Sequence, residues 1–263
     1  MRPPAFFNLL ICAGIALVLL PDCAKDAEGF WARTPFASSP QPGGLNDAEL
    51  LPAPDLRELR EHLALLEARL PQGSVPSWEI LTEAARLSFI LGEVEDRGER
   101  EAHYKRGQGY SETLIRMEPA RVEGHYWLAL NTAGLAEVGG ARRALGLVPV
   151  IIRELETAAS IDETYDRAGP HRVLGRIYCK APCWPLSVGD IEKSLRHLLT
   201  AVRLAPENST NHLYLAETLV QLGKSAEARR ELEIVMQPTC RAIFPRNIEE
   251  DHDDAILLLK RCR

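Results

Sequence analysis

The sequence predicts an all-α protein, a solenoid of stacked helical hairpins with about nine or ten helices. Its 263 residues are 46% hydrophobic but only 6% aromatic, which disfavours an all-β sandwich and suits helices rich in Ala, Leu, Glu and Arg. Apolar residues recur at helical spacing from Asp55 onward, and a longer repeat is present in the second half. The formal net charge of -6 provides no basic field for a phosphate backbone, so nucleic-acid binding is not expected as the main function.

The helical pattern begins at the start of the predicted folded region, residues 55–263. One face of the first helix carries leucines three or four residues apart: Leu56, Leu59, Leu63, Leu66 and Leu70. Pro71 to Gly73 ends this helix, because proline removes a backbone donor and glycine is costly in a helix. A second helix is predicted from Ser77 and a third from about Glu99 to Met117.

The clearest repeats are predicted at residues 169–206 and 208–240. The first has the spacing W-x2-L-G-x2-Y, with histidine in the first place: His171, Leu174, Gly175 and Tyr178. The second follows Pro206 in phase, with His212, Leu215, Ala216 and Leu219. This is the 34-residue tetratricopeptide (TPR) pattern, in which small residues lie where two helices cross. A fainter copy follows Pro119, with its second helix displaced near Pro149; a generic helical bundle is the alternative.

The N-terminus predicts export. Residues 1–23 contain an apolar run from Ala5 to Leu20, which has the length of a signal-peptide core rather than of a membrane-spanning helix. The segment ending at Cys23 resembles a bacterial lipobox with Asp22 where a small residue is usual, so Cys23 is a candidate for lipidation and an uncleaved anchor is the alternative. We expect the chain at the periplasmic face of the bacterial envelope, tethered to the outer membrane if Cys23 is lipidated. Residues 24–54, rich in Pro, Gly and Ser, are predicted to form a flexible linker.

Four cysteines follow the leader: Cys179, Cys183, Cys240 and Cys262. Three pairings exist, and sequence proximity favours Cys179–Cys183 and Cys240–Cys262, since an exported chain meets an oxidising compartment. Thiol-redox chemistry at Cys179 and Cys183 is a remote alternative, because three residues rather than two separate them. No metal site or cofactor is expected, since no second pair of ligands stands at a tetrahedral zinc spacing.

The block between Tyr178 and Ser194 is seven residues longer than the standard repeat. Insertions in a solenoid form loops on one face, and that face often binds. Trp184 lies in this insertion. Either a Cys179–Cys183 bridge holds its side chain in place for a partner, or the side chain fills the gap between neighbouring hairpins.

The segment from Gly124 to Met236 resembles the T-component family of tripartite ATP-independent periplasmic (TRAP) transporters. The matching residues are Trp127 with Ala129-Leu130, Leu155-Glu156 with Ala158, Asp162 with Tyr165, Ala168-Gly169-Pro170, Leu174 to Tyr178, Pro182 with Gly189-Asp190, and Ala201 to Pro206. The resemblance implies an exported, often lipid-anchored helical protein of cryptic TPR repeats. It also implies assistance to a periplasmic solute-binding protein, a tendency to self-associate and a channel through the helical body.

The repeats favour a binding protein over an enzyme. Stacked hairpins form a concave groove that holds an extended peptide or a partner helix. Residues predicted to face this groove are Tyr126, Asn131, Arg172, Arg176, Asn211 and Tyr214. Arg172 and Arg176 are one helical turn apart and could share a carboxylate, or could form salt bridges with nearby acids such as Asp166.

The expected partner is a protein, either a periplasmic solute-binding protein or an unrelated partner of a general envelope scaffold; a homo-oligomer is a further option. No nucleophile-elbow, zincin or phosphate-loop motif is present, so no catalytic residue is predicted. His125, His171 and His212 occupy the same repeat position and are predicted to pack between helices.

Overall fold

The structure, a computed structural model, describes residues 55–70, 76–242 and 248–262. Within these ranges it contains ten helices and no strand: α1 (Leu56–Ala68), α2 (Trp78–Val94), α3 (Arg97–Met117), α4 (Val122–Val138), α5 (Gly140–Ile161), α6 (Tyr165–Lys180), α7 (Ile191–Leu204), α8 (Ser209–Gln221), α9 (Ser225–Val235) and α10 (Ile248–Arg261). The predicted all-α fold is confirmed. The predicted leader, linker and lipidation site at Cys23 lie outside the described residues.

The helices form hairpins that stack on one another. α2 packs on α3, α4 on α5, α6 on α7 and α8 on α9, and successive hairpins meet through α2 and α4 and through α6 and α8. α1 packs on α2 at one end, and α10 packs on α8 and α9 at the other. Gly140, the first residue of α5, and Gly223, in the turn before α9, have φ of 76° and 72°, a conformation that glycine adopts without strain.

Local sequence accounts for the starts of several helices. The side chains of Asp55, Asp190 and Asn208 accept hydrogen bonds from backbone N–H groups in the first turns of α1, α7 and α8. α5 begins at Gly140 and continues through Pro149. The second helix of the faint repeat is therefore intact.

Two apolar clusters stabilise the stack. The larger draws its buried side chains mainly from α1 to α6, including Trp127, Phe89 and Leu155, and the smaller draws from α7 to α10. α1 contributes Leu59, Leu63 and Leu66, which belong to the predicted leucine face. None of the described helices is both long and apolar enough to cross a membrane.

The repeated histidine has a structural role that recurs between hairpins. Nε2 of His125 lies 3.0 Å from the carbonyl oxygen of Pro119, and its Nδ1 lies 2.7 Å from Oε2 of Glu154 on the paired helix. His212 has the same two kinds of partner, the carbonyl of Pro206 at 2.8 Å and Glu231 at 2.6 Å. Each ring therefore fastens the start of one helix to the preceding turn and to the second helix of its hairpin.

The third histidine has a different partner. Nδ1 of His171 on α6 lies 3.0 Å from Nδ1 of His197 on α7, and Glu163 is 3.6 Å from the other ring nitrogen of His171. The ring of Tyr178 stacks on His197 with the centroids 5.6 Å apart. A hydrogen bond between these two Nδ1 atoms, one donating and the other accepting, therefore joins α6 to α7.

Candidate binding surfaces

Arg172 lies at the centre of a buried polar network that joins three hairpins. Its side chain is 1% exposed, and its Nη2 donates to Oδ2 of Asp166 at 2.8 Å. Tyr126 on α4 donates its hydroxyl to the same carboxylate. Burial, together with the adjacent Asp166 carboxylate, raises the pKa of Tyr126 well above its ordinary value, so the phenol stays protonated and donates.

The backbone around Asp166 takes an unusual course that this network stabilises. Asp166, Arg167 and Ala168 have φ of 50°, 53° and 62°, in the left-handed region that residues with a Cβ rarely adopt. Nη1 of Arg172 donates to the carbonyls of Asp166 at 3.1 Å and Arg167 at 3.2 Å. Nδ2 of Asn211 on α8 also contacts the carbonyl of Arg167, at 3.3 Å. The guanidinium thus fixes a left-handed turn at the start of α6.

The structure brings together several of the predicted groove residues, but it encloses them. Tyr126, Arg172, Asn211 and Tyr214 are each no more than 2% exposed. The prediction that these side chains face an open groove is therefore wrong, because their polar groups bind one another across α4, α6 and α8. Large polar side chains at repeat positions look the same in sequence whether they line a groove or bridge a core.

The expected pairing of Arg172 with Arg176 on one carboxylate does not occur. Arg172 binds Asp166, the acid predicted as its alternative partner, although this pair is buried. Arg176 binds Glu217 and lies over the ring of Tyr214, 4.2 Å from the centroid. The two arginines thus serve different contacts on α6.

Asn131 is also buried instead of facing a groove. Its Nδ2 donates to the carbonyls of Trp127 at 2.9 Å and Ala85 at 3.2 Å, which joins α4 to α2. A Cβ at Gly107 would lie 2.1 Å from its Oδ1, so this close contact needs glycine at position 107. Asn131 is therefore a contact between helices.

The insertion between α6 and α7, residues 182–189, presents apolar side chains to solvent. Trp184 is 84% exposed and Leu186 is 68% exposed. Trp184 does not fill a gap between hairpins, so that interpretation is wrong. The base of the loop is fixed, since Gly189 donates its N–H to the carbonyl of Pro182 at 2.9 Å and Asp190 donates to that of Tyr178 at 2.9 Å.

The loop is held without a disulfide. None of the cysteines among the described residues is joined in a disulfide, neither Cys179 and Cys183 nor Cys240 and Cys262. Sγ of Cys179 instead lies 3.3 Å from Nε2 of Gln221 on α8. Hydrogen bonds at the base of the loop, and not the predicted Cys179–Cys183 bridge, therefore hold the loop in place.

An open cleft of about 400 Å³ lies between α1, the end of α2 and the first half of α3. Its lining residues are Arg60, Leu63, Ala64, Glu67, Leu91, Glu95, Glu99, His103 and Arg106. Leu63 and Leu91 are buried and give it an apolar floor, and charged side chains form the walls. No residue pattern in the sequence indicates this cleft, because α1 precedes the recognisable repeats.

Salt bridges fix the walls of the cleft. Nε and Nη2 of Arg60 donate to the two carboxylate oxygens of Glu95, at 2.5 and 2.6 Å, and this hydrogen bonding lowers the pKa of Glu95. Nη1 of Arg106 lies 3.6 Å from Oε1 of Glu67, and its Nη2 lies 3.3 Å from Nδ1 of His103. Arg60 and Arg106 have side chains 54% and 44% exposed, so part of each guanidinium still faces the mouth.

Fold and surfaces together define an all-α solenoid of the TPR type. Among solved structures, the chain is similar to a thermophilic TPR protein of Thermus thermophilus, with 20% identity and a TM-score of 0.57, covering 77% of this chain and 92% of that chain. No family model and no curated protein matches the chain. At this identity the structural similarity is evidence for the fold.

Proposed function

We propose that this chain is a non-catalytic binding protein that holds a segment of a partner protein in the cleft between α1, α2 and α3. The observation that carries the proposal is an open cleft with an apolar floor and fixed charged walls, on a fold that typically binds polypeptides. An apolar side chain of the partner would pack on the floor of the cleft at Leu63 and beside Ala64, and Arg106 would bind a carbonyl or carboxylate next to it.

We further propose that the partner is a periplasmic solute-binding protein and that the chain is an exported accessory of a TRAP-type transport system. The support for this assignment is the resemblance of residues 124–236 to the T-component family, together with the signal segment predicted at the N-terminus. A general envelope scaffold with an unrelated partner is the second candidate, because the cleft alone does not distinguish between partner proteins.

The test uses the chain from residue 24 to residue 263, which retains all of the described helices. This protein is immobilised and exposed to the purified solute-binding protein of a TRAP system from the same genome. Ala64→Trp places a large side chain in the cleft from an exposed position on α1. Leu65→Trp is the matched control, since Leu65 is 65% exposed on the same helix and does not line the cleft.

We expect the original chain and Leu65→Trp to bind the solute-binding protein and Ala64→Trp to lose binding. Equal binding by all three proteins would show that the cleft is not the contact. If the solute-binding protein is not bound but another envelope protein is, and Ala64→Trp releases that protein, the transport role fails and the scaffold function remains.

A further inference from the structure

The exposed apolar tip of the 182–189 loop stands beside a basic helix face. On α7, Ser194, Leu198 and Ala201 point into the stack, while Lys193, Arg196 and Arg203 lie on the outer side. Leu199, 51% exposed, lies between the last two of these cations. α7 is thus an amphipathic helix whose outer face alternates cations with an apolar side chain.

The cations on the outer face of α7, which are Lys193, Arg196 and Arg203, take part in none of the ion pairs among the described residues. Glu192 is the only acidic residue within α7, and Asp190 before it is occupied in capping the helix. In a chain with a net charge of -6, α7 therefore carries three exposed cations and the one acid Glu192, while Glu156 and Asp190 lie beside Tyr178 near its first turn.

The loop and the helix face are joined at Tyr178. The ammonium of Lys193 lies 5.1 Å from the centroid of the Tyr178 ring, and the carbonyl of Tyr178 accepts the N–H of Asp190 at the loop base. The loop that carries Trp184 and Leu186 therefore leads into the end of α7 at which Lys193 lies. The loop and the outer face of α7 can therefore contact the same partner.

The pattern suits a lipid surface better than a protein. A stable protein interface buries about 800 Å² on each partner around a contiguous apolar centre. Here the apolar side chains protrude separately, at the loop tip and at Leu199, with cations between them. A bilayer interface needs no complementary pocket: tryptophan partitions at the headgroup level, leucine enters the acyl boundary and basic side chains meet lipid phosphates.

We infer that Trp184, Leu186 and the outer face of α7 form a peripheral contact with an anionic phospholipid bilayer. The contact is additional to any anchor at the N-terminus and does not depend on the protein-binding function proposed above. It orients the solenoid with α7 toward the membrane, whereas the cleft between α1, α2 and α3 lies in the first part of the stack of helices.

Vesicle flotation of the chain from residue 24 to residue 263 tests this inference without the predicted leader. The vesicles contain phosphatidylcholine alone or phosphatidylcholine with phosphatidylglycerol. We expect binding to the anionic vesicles that weakens with added salt. At about fivefold per cation near an anionic surface, Arg196→Glu with Arg203→Glu should weaken binding by about 25-fold or more. Trp184→Ala with Leu186→Ala should weaken it by about tenfold or more.

Matched controls separate this surface from general effects. Arg142→Glu with Arg230→Glu makes the same change in net charge at exposed positions on α5 and α9, and Leu65→Ala removes an exposed leucine from α1. These variants should bind vesicles as the original chain does, and circular dichroism should show all variants to be equally helical.

Two results would overturn the inference. The first is no binding of the original chain to anionic vesicles, and the second is binding that the loop and α7 variants leave unchanged. If the first occurs and the original chain captures an acidic protein that those variants do not capture, the surface belongs to a protein partner. Each of these can occur whether or not the cleft binds a solute-binding protein, so the two proposals succeed or fail separately.

Discussion

Replacing Arg172 with leucine should destabilise the fold strongly. The Arg172 and Asp166 side chains are 1% and 0% exposed, so the variant leaves a carboxylate in the interior without its cation. Removing one partner of a buried pair costs about 3–5 kcal/mol. The carbonyls of Asp166 and Arg167 also lose a donor in the strained left-handed turn. This is a large part of the total stability of about 5–15 kcal/mol that is typical of folded domains.

Urea denaturation followed by circular dichroism gives the free energy of unfolding directly. For a protein of this size, each kcal/mol shifts Tm by about 2–4 °C, so Arg172→Leu should lower Tm by roughly 6–20 °C. Arg153→Leu is the control, because Arg153 is 67% exposed beside Glu154 and such pairs contribute at most about 1 kcal/mol. Adding Asp166→Asn to Arg172→Leu should recover part of the loss, since asparagine carries no charge and tolerates the left-handed conformation.

A loss below about 1 kcal/mol for Arg172→Leu would refute this reasoning, because the cost of an unpaired buried charge would be absent. The same result would reopen the prediction that Arg172 faces a groove and binds a partner. Equal destabilisation by Arg172→Leu and Arg153→Leu would have the same meaning. If the double variant were no more stable than Arg172→Leu alone, the lost contacts rather than the unpaired charge would account for the cost.

Two further predictions concern packing and pH. Gly134→Ala should destabilise the fold by about 1–3 kcal/mol, because the added Cβ would lie 2.3 Å from the Tyr104 ring. Gly109→Ala should stabilise the fold by about 0.5–1 kcal/mol, because the space around Gly109 on α3 is open and alanine favours a helix. Thermal melts of both variants check these values. Burial lowers the pKa of His197 to about 4 and also lowers that of His171, so the folded state binds fewer protons than the unfolded state and stability should fall as the pH drops from about 6.5 toward 4. Urea midpoints for His197→Gln should fall less steeply across this window, and an identical slope would contradict the assignment.

The helical periodicity and the two in-phase repeats were sufficient to predict the fold. Their small residues and histidines pack between helices, and part of this contact pattern recurs from one hairpin to another. His125 and His212 illustrate this, since both contact a carbonyl six residues earlier and a glutamate on the paired helix.

The candidate sites were less predictable because exposure depends on tertiary packing. Arg172 and Trp184 show the difficulty most clearly. The sequence predicts the Arg172 guanidinium at the surface, but the fold places it inside, where it holds a left-handed turn. The sequence allows two interpretations of Trp184, and the structure shows its side chain exposed on the loop. The cleft depends on how α1 packs against α2 and α3, and no residue pattern within α1 reveals that arrangement.

The most direct test of the proposed function is hydrogen–deuterium exchange of the chain from residue 24 to residue 263, with and without the solute-binding protein. Binding in the cleft predicts added protection of α1 and of the part of α3 from Glu99 to Arg106, with the buried network around Arg172 unchanged. Protection confined to other helices or to the 182–189 loop, with none in α1 and α3, would contradict the claim that the cleft is where the partner binds.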